Sequence, residues 1–250
     1  DYGSINTGLK ALFFVIVKFM QKKIIEALEQ FNPYSVFVYG SRGRGDHKPD
    51  SDYEIGVIFE DEKYVSRRVI HKVINLEKVR IYPFKLSAIK SGEIDTPFQK
   101  NIYMRELAEA GKTISGEKII ENLESKKITT LDLIQRIRFD IGYALAAVLS
   151  DRSGDLETAH EEFSKSCLFG LNSLIILKLR KFIVGYDKIF ELKNEVLDKE
   201  EYLDVVKIAY SLRGGETEIP SDAIFRNISF LQYVENEIIS EFSSNGATEL

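Results

Sequence analysis

Two acidic residues, Asp52 and Glu54, stand two positions apart at the start of the apolar run 53–59, and a turn-forming stretch, Gly40-Ser41-Arg42-Gly43-Arg44-Gly45, precedes them. In a strand, residues two apart point to the same face, so this spacing places both carboxylates side by side. Two such groups repel unless a cation lies between them. Hard oxygen donors suit Mg²⁺, which takes one or two carboxylates and completes its shell with phosphate oxygens and water. The preceding stretch supplies the matching anion cradle. Gly40, Gly43 and Gly45 allow close backbone approach, Ser41 adds a hydroxyl, and Arg42, Arg44 and Lys48 add positive charge. The residue types therefore point to a metal-bound polyphosphate.

These groups must be positioned by regular elements. The β-branched and aromatic runs 36–39 and 53–59 read as strands, with the Gly-, Asp- and Pro-containing segment between them as a loop. Ahead of the first strand, Ile24, Ile25, Ala27 and Leu28 recur at helical spacing over 21–30, and Asn32-Pro33 stops that helix. After Phe59 the acids Glu60-Asp61-Glu62 predict a helix over 60–76, with Val65, Val69, Val73 and Ile74 or Leu76 facing inward. A third strand is expected over 79–86. Thr96-Pro97 opens another helix reaching Ala110, with Gly111 as its C-cap.

Taken together, Gly40-Ser41 and Asp52-x-Glu54 inside Asp50-Ser51-Asp52-Tyr53-Glu54-Ile55 resemble the signature of the polymerase-β-type nucleotidyltransferase superfamily. The nearest branches are the minimal and the aminoglycoside nucleotidyltransferases, some of which also carry Asp-x-Glu. The resemblance implies transfer of a nucleoside monophosphate from a nucleoside triphosphate, ATP being the expected donor, to an acceptor hydroxyl with Mg²⁺. It implies Asp52 and Glu54 as catalytic carboxylates and metal ligands, and Gly40, Ser41, Arg42 and Arg44 as nucleotide-binding residues. Asp50 is expected to shape the turn. Members of the family usually carry a third carboxylate on the next strand, where this chain has Arg80 or Tyr82; Glu93, Asp95, Glu106 or the second domain could supply it instead. A departure of this kind also admits a catalytically degenerate, nucleotide-binding regulatory or antitoxin-like module, and a narrower alternative is adenylylation of a partner protein.

Beyond Gly116 strand signals vanish. Thr129-Thr130-Leu131-Asp132 resembles a capped helix start, and Leu133, Ile137, Ile141, Ala144, Leu145 and Val148 form its stripe, ending near 151–154. Further helices are expected over 155–183, with an apolar surface wide enough to be central, over 200–212, and from a cap at Ser221-Asp222. The tail from Ser243 reads as polar and frayed. Four helices with short connections imply an up-and-down bundle. The expected architecture is α+β: an N-terminal extension 1–19, a nucleotidyltransferase domain 20–120 with a mixed sheet flanked by helices, and a helical bundle 121–250. The bundle resembles a HEPN-like or acceptor-binding domain. HEPN ribonucleases carry Arg, four to six residues, then His near the end of the bundle. Here the nearest pair, Arg152 and His160, has the wrong spacing and place, so the bundle is read as non-nucleolytic, with a homodimer through it as one possibility.

Composition narrows the partners. The 250 residues carry a net charge of −5, which argues against a long nucleic acid, whose binders show a basic footprint. A single cysteine, Cys167, excludes an intramolecular disulfide and fits a reducing, cytoplasmic setting. Three histidines, His47, His71 and His160, are too scattered for a zinc site. The apolar run 11–17 is too short to span a bilayer and is expected to belong to an N-terminal helix, with Met20 as the expected functional start.

Overall fold

The computed structural model describes residues 19–48, 51–74, 76–218, 220 and 222–250. The expected N-terminal helix around 11–17, the turn role of Asp50 and the cap at Ser221 lie outside the described residues. The chain divides into two compact units, 1–95 with 107–124, and 96–106 with 125–250.

The first unit is built on a four-stranded mixed sheet. Helix α1 is described from 19 to 29 and ends where Asn32 takes a positive φ of 49° before Pro33. Then follow strand β1 (Ser35–Tyr39), the short helix α2 (Gly40–Arg44), strand β2 (Tyr53–Phe59), helix α3 (Arg67–Val73), strand β3 (Val79–Lys85), helix α4 (Leu86–Ser91) and, after helix α5 (Lys100–Ala110), whose residues up to Glu106 belong to the second unit, strand β4 (Lys112–Gly116). The spatial order is β3-β2-β1-β4. β1 runs antiparallel to β2 and β4, whereas β2 and β3 are parallel, with α3 in the crossover between them.

The pleat sorts the side chains into two sets. Val36, Val38, Tyr53, Ile55, Val57, Phe59, Val79 and Ile81 form one apolar cluster with Ile24 and Leu28 of α1 and with Ile70 and Ile74. The opposite face carries Phe37, Tyr39, Tyr82 and Phe84, whose rings lie 5.6–6.0 Å apart pairwise along the chain Phe84, Phe37, Tyr39, Tyr82. Gly56, opposite Phe37 in the register, makes room for this: a Cβ there would overlap the Phe37 ring.

The region after β2 differs from expectation. Residues 61–63 form a single 3-10 turn, the chain then extends, and α3 occupies only Arg67–Val73. Asp61 does not open a long helix because its carboxylate is used elsewhere: Oδ1 accepts from Ser87 N at 3.0 Å, and Oδ2 accepts from Ser87 Oγ, so it serves the first turn of α4. The inward face of α3 is also rotated. Ile70 is fully buried, while Val69 and Val73 are about half exposed (46% and 52%). Gly111 does not take the left-handed C-cap conformation. Its amide continues to Leu107 O at 2.8 Å, and it leads directly into β4, whose Thr113 is bonded through N and Oγ1 to Glu121 at 2.7 and 2.6 Å.

The second unit is helical. Four long helices, α6 (Thr130–Ser153), α7 (Leu156–Leu179), α10 (Glu200–Gly214) and α11 (Ala223–Asn245), surround one apolar core, with two short helices, α8 (Tyr186–Glu191) and α9 (Lys193–Val196), between α7 and α10. α6 opens on a complete capping box between Thr129 and Asp132, as its sequence predicts. α7 is the central element, with fourteen of its 24 residues buried. Buried hydroxyls join it to its neighbours: Ser164 Oγ donates to Ala209 O at 2.7 Å, and Ser166 Oγ accepts from Asn227 Nδ2 at 2.9 Å. Cys167 is fully buried on α7, and burial pushes its thiol well above the usual range, so it is not a poised nucleophile.

The C-terminal tail is not frayed. Thr130 N donates to Thr248 O at 3.0 Å, Leu250 N donates to Ile128 O at 2.8 Å, and Thr130 Oγ1 donates to Gly246 O at 2.8 Å. The tail thus satisfies the Thr130 amide and the Ile128 carbonyl at the start of α6, a role its polar composition does not reveal. Among the described residues no helix is long and apolar enough to cross a membrane.

Candidate functional site

The glycine-rich stretch follows β1 without a break. Gly40 has a φ of 62°, a left-handed conformation that reverses the chain as it leaves the strand. The following residues close into α2, which ends on Gly45 at φ 86°. Both Gly45 N and Asp46 N bond Ser41 O, at 2.9 and 3.1 Å, which holds the turn compact. Gly43 is packed so closely that a Cβ would sit 2.6 Å from Ala110 O.

Glu54 lies across from this turn. It pairs with Tyr39 in the antiparallel register, and its carboxylate occupies the space over Gly40: a Cβ on Gly40 would overlap Glu54 Oε2. Gly40 therefore forms the floor of a small cradle whose wall is a carboxylate. Asp52 sits just ahead of β2 rather than within it. Its Oδ2 accepts from Arg80 Nε at 3.1 Å, with the two side chains 40% and 53% exposed. Arg80 is the register partner of Glu54 in the parallel β2–β3 pair. The two acids and the guanidinium therefore gather at one end of the sheet, beside the turn that begins at Gly40.

The loop arginines are each held by a neighbour. Arg42 lays its guanidinium over the Tyr53 ring at 3.9 Å and donates from Nη2 to Ser51 O at 2.7 Å. Burial lowers its pKa, opposed by the Tyr53 hydroxyl and the Asp52 carboxylate. Arg44 pairs with Asp46 at 3.2 Å, and both side chains are only 10% exposed. Ser51 Oγ accepts from Lys48 N at 2.9 Å. Burial, followed by the Arg42 charge, lowers the pKa of His47, which favours its neutral form. The loop is thereby fastened to the start of β2 from both sides.

Several of these contacts were not anticipated from sequence. The sequence presents Tyr53 as an apolar strand residue, yet it is the platform for Arg42, and it presents Arg80 as an arginine where the resemblance implies an acid. The aromatic at 53 between two acids is the one signal that could have indicated the first; the second depends on strand register. Among the described residues no group of three or more His, Cys, Asp or Glu side chains is arranged to hold a metal. Within the first unit, Glu93 and Asp95 thus do not join Asp52 and Glu54 in such a group. The donor set at the cradle is two carboxylates, which suits a hard divalent cation that takes its remaining ligands from phosphate and water.

Residues 21–141 match the nucleotidyltransferase domain family. No curated protein matches the chain. Among solved structures, the fold is similar to spectinomycin adenyltransferase AAD(9) from Enterococcus faecialis, crystallised with ATP and spectinomycin, with a TM-score of 0.59 and 14% identity over 88% of this chain and 99% of that one. A nucleotidyltransferase-like protein from Exiguobacterium sibiricum 255-15 matches at a TM-score of 0.33 and 12% identity, over 91% of this chain and 77% of that one.

Proposed function

We propose that the chain, whose residues 21–141 match the nucleotidyltransferase domain family, transfers a nucleoside monophosphate from a nucleoside triphosphate, ATP by preference, to a hydroxyl of a small polar acceptor. The observation that carries this reading is the contact of Glu54 with Gly40, which sets a carboxylate against a glycine turn in the space that a side chain at position 40 would fill. The solved neighbour holding ATP and spectinomycin supports both the choice of nucleotide and a polyol-like acceptor, as a likeness of fold.

In this reading Asp52 and Glu54 are the catalytic carboxylates and would together hold Mg²⁺. Bound by these two carboxylates, such a cation would supply charge neutralisation at the phosphate oxygens and a lowered pKa for the acceptor hydroxyl. Gly40 and Ser41 present backbone amides and a hydroxyl to the outer phosphates, which keeps the leaving group aligned. Arg42, fixed over Tyr53, and Arg44, fixed by Asp46, set the shape of the turn and add positive charge near the pyrophosphate. The acceptor oxygen forms a new bond to the α-phosphorus as the bond to the bridging oxygen breaks. Pyrophosphate leaves with that electron pair, and the hydroxyl proton passes to solvent or a nearby base.

Incubation with ATP labelled at the α-phosphate, Mg²⁺ and a panel of aminocyclitol and aminoglycoside acceptors tests the proposal. Label on an acceptor, with stoichiometric pyrophosphate release, is expected. Tight nucleotide binding with no transfer to any acceptor or to protein would instead favour a regulatory, nucleotide-sensing module, the reading that the arginine at position 80 keeps in play. Label on protein alone would favour adenylylation of a partner.

A further inference from the structure

We infer that Arg80 stands in for a second metal ion at this site, so that the acid pair takes a single divalent cation and the guanidinium passes from Asp52 to the triphosphate when nucleotide binds. This rests on the transferase reading and refines its metal content.

Charge is the first argument. Arg80 stands on β3, where other members of the superfamily usually carry a third carboxylate, and its guanidinium lies 3.1 Å from Asp52. A second divalent cation at that end of the sheet would meet this positive charge in place of an acid, whereas a single one can be held by Asp52 and Glu54. Geometry is the second argument. Arg80 stands opposite Glu54 in the β2–β3 register, so its side chain leaves the sheet on the side of the cradle. Exposure is the third. Asp52 and Arg80 are 40% and 53% exposed, and an ion pair this open is weak and exchanges readily. A divalent cation can therefore take over Asp52 at little cost. The released guanidinium, planar and with a fork of donors, matches phosphate oxygens well. Arg42 and Arg44 are less suited, because the first is committed to Ser51 and Tyr53 and the second to Asp46 within the loop.

Two binding measurements on the full chain test this, neither of which needs turnover. Mn²⁺ binding is followed by electron paramagnetic resonance in the presence of a non-hydrolysable ATP analogue, and analogue affinity is measured by calorimetry. One Mn²⁺ per chain is expected. Without nucleotide, Arg80→Gln is expected to tighten Mn²⁺ binding about two- to fivefold by removing the competing cation, while weakening the analogue about tenfold. Arg80→Lys should restore part of the analogue affinity, and Arg80→Asp should create a second Mn²⁺ site. Two Mn²⁺ ions on the wild-type chain would overturn the inference and leave the transferase reading standing. So would Mn²⁺ and analogue affinities that move in the same direction, or not at all, in Arg80→Gln. Absence of any Mn²⁺ binding would remove the transferase reading and this inference with it.

Discussion

Glu54 reaches across the sheet to lie against Gly40, close enough that a single methyl group on the glycine would collide with the carboxylate. A strand residue and a turn residue thus share one small space, and the glycine is required there twice over: by its φ of 62° and by the neighbour it faces. Substitution should separate these two requirements. Gly40→Ala carries the left-handed strain, about 1–2 kcal/mol, and also displaces Glu54, so transfer should fall by more than tenfold. Gly45→Ala, at φ 86° with open space around it, should show a similar stability loss in thermal unfolding with activity largely kept. Equal activity losses in both variants would mean that strain alone accounts for the effect.

Arg42 is held by stacking on Tyr53 and by its bond to Ser51 O. Lysine can make one such interaction but not both, because it lacks the flat, forked guanidinium. Arg42→Lys is expected to cost about 1–2 kcal/mol in urea unfolding and to raise the KM for ATP more than it lowers kcat. A variant with wild-type stability would show that the stacking contributes little.

Asp140 on α6 is, with Asp132, a buried acid of the helical unit. It is 1% exposed and pairs with Arg136 at 3.2 Å, yet burial outweighs that partner and pushes its carboxyl up to about 7. The folded chain therefore keeps a proton that the unfolded chain releases above its ordinary carboxylate range. Its contribution to stability is full near pH 4 and declines as pH rises toward 7. Asp140→Asn should remove this slope. Between pH 4 and pH 7.5 the stability difference should shift in favour of the variant by on the order of a few kcal/mol, read by denaturant titration at each pH. Parallel curves for the two chains would exclude the effect.

The C-terminal residues matter more than a polar tail ordinarily does. Removing residues 247–250 deletes the acceptor for Thr130 N and the donor to Ile128 O. A loss of about 1–2 kcal/mol is expected, comparable to loss of a helix cap. Thr129→Ala, which breaks the capping box with Asp132, should cost a similar amount. Unchanged stability on truncation would return the tail to the frayed segment its composition suggests.

The features legible in the sequence were those written in adjacent residues. The β-branched runs located β1, β2 and β3, the glycine cluster located the turn, and Thr129 with Asp132 marked the start of α6 because a capping box is complete within four positions. The features that were not legible depend on partners far along the chain. Asp61 looks like the start of a helix until Ser87 takes its carboxylate. Val69 and Val73 have helical spacing yet face out; Ile74 meets the sheet as its position suggests, but so does Ile70, which the spacing does not single out. The pairing of Asp52 with Arg80 follows only from the parallel register of β2 with β3, which no local pattern encodes.

Asp52 and Glu54, beside the Gly40 turn, are proposed to hold a metal-bound nucleoside triphosphate, and calorimetric titration of ATP with and without Mg²⁺ decides this, for the wild-type chain and for Asp52→Asn combined with Glu54→Gln. Mg²⁺ should tighten ATP binding at least tenfold in the wild type, and the double variant, unfolding at an unchanged temperature, should lose this dependence entirely. A double variant that binds ATP with the full Mg²⁺ enhancement would remove the two acids from the metal site.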